Sequence, residues 1–147
     1  MLFTFVKYHK KSMVPLMKNE RKILIVDDDR DLCNLIYEII KNEGYTVHKV
    51  YDGNTAINEI KNKKYDLMII DNKLGKMSGI QVIENTKNYF PELKTLMISA
   101  FGNNTTKCRA YELGVFDFID KPFDISNLIN KVSQVFSSTG KISHYLV

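Results

Sequence analysis

The chain has few of the residues on which specialised protein classes depend. Its 147 residues include two cysteines, three prolines and no tryptophan. Cys33 and Cys108 are far apart and belong to no CxxC or His/Cys cluster, which argues against a zinc site or a redox pair. No apolar run approaches the roughly 18 residues of a membrane span, and no cleavage site follows the apolar start MLFTFV. We therefore expect a cytoplasmic protein without membrane association.

The chain also lacks an excess of positive charge outside its N-terminus. The net charge is +4, but residues 1–22 hold six lysines and arginines against one glutamate, so the remainder is close to neutral. This balance argues against direct nucleic-acid binding. We expect a basic, disordered tail over 1–20, one domain over 21–138 and a short tail over 139–147. The basic tail would be an artefact of start-site choice if translation begins at Met13 or Met17.

Hydrophobic periodicity predicts five strands that alternate with five helices. The predicted strands are 23–26, 45–50, 65–70, 94–100 and 115–119, and the helices cover 32–40, 56–63, 79–90, 103–114 and 125–136. The strands are apolar on both faces, and helical crossovers join them. This pattern predicts an α/β fold with a parallel sheet covered on both sides. Ligands of such sheets bind beyond the carboxyl ends of the strands.

Polar side chains gather at those carboxyl ends. Aspartates 27–29 follow the first strand, Asp71 follows the third, and Ser99 and Lys121 lie at the ends of the fourth and fifth. Each has an ordinary structural explanation when taken alone, such as helix capping by the third aspartate of the triplet. Their convergence on one edge of one sheet favours a functional site.

The residue types at this edge indicate phosphoryl chemistry. Carboxylates this close repel one another unless a cation joins them, and Mg²⁺ binds one or two carboxylates while keeping positions for phosphate oxygens and water. Asp27, Asp28 and Asp71 suit that ion. The Lys121 ammonium and the Ser99 hydroxyl suit the oxygens of a phosphoryl group in transfer. With a carboxylate as nucleophile, the implied product is an aspartyl phosphate.

Four stretches resemble the receiver domain of two-component response regulators. ILIVDDD, YDLMIIDNKLGKMSG, LMISA and DFIDKPF are similar to the family's blocks, in order, across about residues 21–138. The resemblance implies a flavodoxin-like (βα)5 fold with a doubly wound five-stranded parallel sheet in the order 2-1-3-4-5. It implies that Asp71 accepts a phosphoryl group from a histidine kinase or histidine phosphotransfer protein. The implied ligands of Mg²⁺, or alternatively Mn²⁺, are Asp27, Asp28, Asp71 and the backbone carbonyl of Lys73.

The resemblance also implies roles in switching and in phosphoryl lifetime. Ser99 and Lys121 would bind phosphoryl oxygens, and Ser99 and Phe118 would act as the switch pair. Lys73 and Phe101 flank the site and are expected to slow autodephosphorylation. Such a domain is not an enzyme with a separate substrate. It is a phosphoacceptor that assists its own phosphorylation and dephosphorylation.

The chain departs from the family pattern at three positions. Gly75 replaces a usual proline, so we expect a looser loop there; Ser78 replaces a common aspartate; and Phe118 lacks the hydroxyl that a tyrosine would bring. The histidines match nothing in the pattern (His9, His48 and His144).

The sequence after the last predicted helix is too short for an output domain. The chain is therefore expected to be a stand-alone receiver, similar to sporulation-type phosphorelay intermediates, that contacts a downstream protein or passes the phosphoryl group onward. The contact surface would lie within 103–138, and the phosphodonor would dock near the first helix and Asp71. We expect a monomer or a weak phosphorylation-dependent dimer.

Three alternatives remain open on the sequence. The main one is a receiver-fold interaction module that acts without phosphorylation because of the changed loop at Gly75. A haloacid-dehalogenase-type phosphatase would use Asp27 as nucleophile, but the late acidic pair of that family is missing after Lys121. A flavodoxin-like cofactor binder would need a phosphate-cradling loop where this chain has aspartates 27–29.

Overall fold

The computed structural model describes residues 17–100 and 103–137, which form alternating strands and helices. The central strands are β1 (Lys22–Val26), β2 (Thr46–Val50), β3 (Leu67–Asp71), β4 (Lys94–Ala100) and β5 (Asp117–Lys121). The helices are α1 (Arg30–Asn42), α2 (Gly53–Asn62), α3 (Gly79–Thr86), α4 (Asn104–Glu112) and α5 (Ile125–Phe136). A 3-10 turn, Lys18–Glu20, precedes β1, and a small hairpin of Lys73–Leu74 and Met77–Ser78 follows β3.

The five central strands form one parallel sheet in the order β2-β1-β3-β4-β5. This confirms the predicted flavodoxin-like (βα)5 class and its strand order. The register aligns Asp71 with Ile98, Ser99 with Asp120, and Ala100 with Lys121. The polar residues at the ends of β3, β4 and β5 therefore lie side by side at one edge.

Alternate residues of each central strand pack against different helices. On β1, Leu24 and Val26 face a core that includes Ala56, Val82 and Ala110 of α2, α3 and α4. Ile23 and Ile25 face the other core, with Ile36 of α1 and Val132 of α5. Each fully buried leucine or isoleucine contributes about 1.5–3 kcal/mol relative to exposure. This double burial explains why the strands read as continuous apolar runs.

Every α-helix in the described residues begins at a capping side chain. The caps are Asp29, Asp52, Ser78, Asn103 and Asp124, and each accepts a hydrogen bond from the backbone N–H three residues later. Such caps satisfy N–H groups that have no partner within the helix. Gly44 and Gly114 follow the ends of α1 and α4 with φ of +99° and +88°, the left-handed conformation in which glycine commonly ends a helix.

Several predicted boundaries were wrong by a few residues. The third helix was predicted to reach residue 90 but ends at Thr86, whose carbonyl accepts bonds from the N–H groups of both Tyr89 and Phe90 in a tight turn. The third strand begins at Leu67, where its pairing with β1 and with β4 starts. The fifth strand runs two residues later than predicted, since its pairing with β4 starts at Asp117.

The predicted tails fall mostly outside the described residues. Residues 1–16 and 138–147 are not described. At the end of the predicted N-terminal tail, residues 18–20 form the 3-10 turn, and the carbonyl of Asn19 accepts a hydrogen bond from the Thr46 hydroxyl at 2.6 Å. Within the part of the chain that is described, none of the helices combines the length and the apolar content needed to cross a bilayer.

Gly79 provides a test of how tightly the backbone packs behind the end of β3. A Cβ at this position would lie 2.6 Å from the backbone oxygen of Asp71. We expect Gly79→Ala to lower the free energy of unfolding by about 2–3 kcal/mol, because the backbone must move to relieve the overlap. Urea denaturation measures this change.

Gly53→Ala is the matched control, since Gly53 is also the first residue of a helix. Its Cβ would meet the side chains of Met77 and Val82 at 2.7 and 2.9 Å. The flexible end of the methionine can shift and no backbone atom is met, but Val82 is fully buried and stiff, so we expect a loss of about 1–2 kcal/mol, smaller than that of Gly79→Ala. Equal losses in the two variants would contradict this account of Gly79.

Candidate functional site

Asp71 ends β3 and lies buried at the carboxyl edge of the sheet. All five residues of β3 are buried, so the strand carries the Asp71 carboxylate into the interior. Its Oδ1 accepts a hydrogen bond from the backbone N–H of Lys73 at 2.8 Å. Its Oδ2 contacts the Lys121 ammonium. Both oxygens therefore have partners, one of which is a mobile lysine side chain.

Asp27, directly after β1, is even more enclosed. It is 1% exposed, and its Oδ1 accepts a hydrogen bond from the backbone N–H of Asp29 at 2.9 Å. Its Oδ2 is buried and has no hydrogen-bond partner. Burial and the neighbouring Asp71 carboxylate raise the pKa of Asp27 to about 6, against the lowering effect of the Asp29 N–H. This site thus holds a carboxylate oxygen whose charge is not compensated.

The aspartate triplet divides into three environments. Asp27 points inward, whereas Asp28 is exposed, and its Oδ2 lies 3.8 Å from the position that a Cβ on Gly75 would take. Asp29 caps α1 by accepting a hydrogen bond from the N–H of Leu32 at 3.1 Å. One residue of the triplet therefore caps a helix, one is buried beyond β1, and Asp28 borders the hairpin that follows Asp71.

Lys121 ends β5 and reaches across to the end of β3. Burial lowers the pKa of its ammonium, but the hydrogen bond to Asp71 and the charges of Asp71 and Asp27 outweigh this, so the pKa is raised overall. The group therefore stays positively charged beside the two buried carboxylates. The peptide bond from Lys121 to Pro122 is cis.

Ser99 lies in β4 and is buried. Its hydroxyl is 3.4 Å from the carbonyl oxygen of Ala100, a distance that allows only a weak hydrogen bond. Ser99, Asp71 and Lys121 line one cleft of about 380 Å³ together with Lys73 of the hairpin. The cleft therefore offers a carboxylate, an ammonium and a weakly engaged hydroxyl to the same small ligand.

A two-residue hairpin turn forms one wall of that cleft. Gly75 has φ of +72° at the first turn position between Leu74 and Met77, a conformation that favours glycine. The sequence predicted only a looser loop at Gly75 and not this hairpin. The signal was present in LGKM, a glycine and one polar residue between two apolar ones, but each strand has only two residues.

Among the predicted functional residues that the structure describes, three do not line the cleft: Asp27, Asp28 and Phe118. Phe118 is buried in the core covered by α2, α3 and α4, and its ring meets Tyr111 edge to face at 5.0 Å between centroids. Phe101 lies outside the described residues, so its predicted effect on phosphoryl lifetime stays a prediction. Lys73 borders the cleft with an exposed side chain, as the lifetime prediction requires.

The donor atoms at this edge of the sheet supply some of the oxygen ligands that a hard divalent cation needs. Among the described residues, no three His, Cys, Asp or Glu side chains are grouped closely enough to form a metal site by themselves. Mg²⁺ needs only one or two carboxylates, with water completing its shell. The unpartnered Oδ2 of Asp27 and the exposed carboxylate of Asp28 supply that number of hard oxygen donors.

Comparisons of the sequence with known proteins all indicate the same family. A family model for the response regulator receiver domain matches residues 23–133. The nitrogen assimilation regulatory protein NtrX of Azorhizobium caulinodans is 35% identical over 109 residues, which are 73% of this chain and 24% of that protein. The regulatory protein VanRc of Enterococcus gallinarum is 30% identical over 125 residues, 84% of this chain and 53% of that protein.

Solved structures give the same result. A CheY-like response regulator receiver domain protein from Methanospirillum hungatei has a TM-score of 0.78 at 26% identity, over 82% of this chain and 97% of that one. The receiver domain of NtrX from Brucella abortus has a TM-score of 0.75 at 31% identity, over 80% and 99%. The chain spans only about a quarter to a half of the length of the two curated relatives above.

The uncompensated Asp27 carboxylate gives a stability prediction. We expect Asp27→Asn to raise the free energy of unfolding of the metal-free protein by about 1–3 kcal/mol, because a neutral amide removes a buried charge that lacks a partner. Urea denaturation in the presence of a chelator measures this.

The matched control is Asp29→Asn, since asparagine is an equally good helix cap and this position is exposed. It should change the stability by less than about 0.5 kcal/mol. A destabilised Asp27→Asn protein would show that the carboxylate has a structural partner that the present geometry does not contain.

Proposed function

The chain belongs to the response regulator receiver domain family, and on this premise we propose that Asp71 is a phosphoacceptor in a two-component or phosphorelay pathway. The donor is a phosphohistidine of a histidine kinase or histidine phosphotransfer protein. The observation that carries the proposal is the buried Asp71 carboxylate in the same cleft as the Lys121 ammonium and the Ser99 hydroxyl.

The transfer follows from the positions of these groups. An oxygen of the Asp71 carboxylate attacks phosphorus, and the bond between phosphorus and the histidine nitrogen breaks. The electron pair of that bond stays on the imidazole, which takes a proton from solvent. The N–H of Lys73 holds Oδ1 of Asp71 at 2.8 Å and so fixes the orientation of the carboxylate during the attack.

Lys121 and Ser99 stabilise the transferred group. The Lys121 ammonium, now on Oδ2 of Asp71, moves to a phosphoryl oxygen as negative charge passes to the new group. The Ser99 hydroxyl has only a long contact to give up, so turning it toward a phosphoryl oxygen costs little. The domain thereby assists its own phosphorylation and does not turn over a separate substrate.

Asp27, Asp28 and Asp71, with the backbone carbonyl of Lys73, are the proposed ligands of Mg²⁺ or Mn²⁺. The cation, when bound, neutralises charge on the phosphoryl oxygens. Asp27 offers its unpartnered Oδ2, and Asp28 supplies a second carboxylate from the exposed side. Bringing Asp28 inward requires only a rotation of an exposed side chain.

The output of the proposed switch is a contact with a downstream protein. Inward rotation of Ser99 changes the space beside β5, where Phe118 packs against Tyr111 of α4. Lys107 of α4 also pairs with Asp120 of β5 at 2.6 Å, so α4 is tied to the strand that carries Lys121. Displacement of Phe118 would alter the surface formed by α4, β5 and α5.

Intact mass spectrometry tests the proposal. The chain is incubated with acetyl phosphate, with and without Mg²⁺, beside Asp71→Asn and Asp29→Asn. We expect the wild type and Asp29→Asn to gain one phosphoryl group only with Mg²⁺, and Asp71→Asn to gain none. Asp29→Asn is the control because it keeps the cap of α1 and removes a carboxylate of the same triplet.

Two results would overturn the assignment. One is a phosphoryl gain that persists in Asp71→Asn. The other is the absence of any gain both with acetyl phosphate and with a panel of phosphorylated histidine kinases and phosphotransfer proteins, while circular dichroism shows a folded chain.

A further inference from the structure

A second recessed surface lies at the opposite edge of the sheet from Asp71. A cleft of about 550 Å³ is lined by residues 60–65, which precede β3, and residues 89–93, which precede β4. A neighbouring cleft of about 400 Å³ shares Lys61, Tyr89 and Phe90 with it. We call these two clefts together the amino-end groove, since they lie at the amino ends of the strands. The proposed phosphoryl chemistry uses none of these residues.

Hydrogen bonds hold the walls of the amino-end groove in place. The hydroxyl of Tyr65 donates to Oε2 of Glu59 at 2.6 Å and lies 2.7 Å from Nδ1 of His48. On the other wall, the N–H of Phe90 donates to the carbonyl of Thr86 at 2.9 Å, in the turn that ends α3. Walls fixed in this way lose little conformational entropy when a partner binds.

The groove combines exposed aromatic surface with positive charge. Tyr89 is 77% exposed and, with Lys61 and Phe90, lines both clefts. Lys61 and Lys64 line the larger cleft and form no ion pair within the described residues, whereas Lys63 lies 3.4 Å from Glu59. Glu92 is the one acidic residue among the described residues that line this cleft. An occupant with negative charge and an apolar group complements this surface.

We propose that the amino-end groove binds an acidic peptide segment of a partner protein, with apolar side chains of the segment packed beside Tyr89. Exposed tyrosines in preformed grooves are typical centres of binding energy, and complementary charge at the rim steers the encounter. A compact ligand would fill one cleft and leave the other open. An extended segment covers both clefts, which is why the geometry favours a peptide.

This binding is independent of the phosphoacceptor. The groove and the Asp71 cleft lie at opposite ends of the same strands and share no residue. Asp71→Asn should therefore bind the peptide as the wild type does. Failure of the proposed phosphorylation would leave this inference standing, and the reverse also holds.

Selection from a random peptide library displayed on phage tests the inference. The folded wild-type chain is immobilised, and enriched sequences are compared with those from an empty surface. We expect a consensus with at least two acidic residues beside aromatic or aliphatic ones. A fluorescent peptide of that consensus then gives dissociation constants by polarisation.

The variants assign the binding to the groove. We expect Tyr89→Ala and Lys61→Glu each to weaken binding by about tenfold or more. Tyr111→Ala removes another exposed tyrosine, and Lys41→Glu reverses another lysine in the last turn of a helix, so both controls should bind as the wild type does. If Lys61 only stabilises the end of α2, Lys61→Glu will lower Tm and leave the dissociation constant unchanged.

Other outcomes would overturn the proposal. They are no enrichment, a consensus without acidic residues, or binding that Tyr89→Ala does not weaken. Light scattering tests for self-association. If the chain self-associates and Tyr89→Ala abolishes this, the occupant of the groove is a second copy of the chain and the proposal is wrong. Nucleotide binding that requires Tyr89, without an enriched peptide, would assign the groove to a small ligand.

Discussion

The rest of the structure depends on two buried carboxylates near one ammonium. Asp27 and Asp71 lie at the ends of neighbouring strands, and within the described residues the Lys121 ammonium contacts Asp71 and acts on Asp27 only through its charge. Burying an ion costs several kcal/mol unless partners replace its water, and here two backbone N–H groups and one lysine do so incompletely. A cation and a phosphoryl group are complementary additions, since the cation neutralises the carboxylates and the phosphoryl group gives Lys121 a new partner. The proposed chemistry thus follows from an excess of buried negative charge that the fold keeps in place.

The sheet keeps this excess charge in place because its core is rigid on both faces. The strands that carry the two aspartates pair in register, with Val26 beside Ile70, and these residues are fully buried. Neither carboxylate can move to solvent without breaking that packing, which would cost more than the repulsion it relieves. The α1 cap at Asp29 fixes the turn that directs Asp27 inward. The packing free energy of the core therefore holds the two carboxylates together despite their electrostatic repulsion.

The sequence predicted the fold and the residues of the cleft because both follow from strong local signals. Apolar runs marked the strands, and the carboxyl-edge rule placed Asp71, Ser99 and Lys121 together. The hairpin after β3 was missed because strands of two residues produce no periodicity. The early end of α3 was missed because residues 87–90 contain no glycine or proline to mark it, whereas the folded chain makes a three-residue turn bond from the Tyr89 N–H to the Thr86 carbonyl. The amino-end groove was equally hidden, since its two walls are about 30 residues apart in the chain and meet only through the fold.

The central claim is that the uncompensated oxygen of Asp27 marks the position of a cation beside Asp71. Paramagnetic broadening by Mn²⁺ tests it most directly, in an assigned amide NMR spectrum of the unphosphorylated protein with less than one equivalent of the ion. The account predicts that the amides of residues 27–29 and 71–74 broaden first, and that Asp27→Asn abolishes this pattern. Broadening centred on other acidic residues, such as Asp117 or Asp124, or an unchanged pattern in Asp27→Asn, would contradict it.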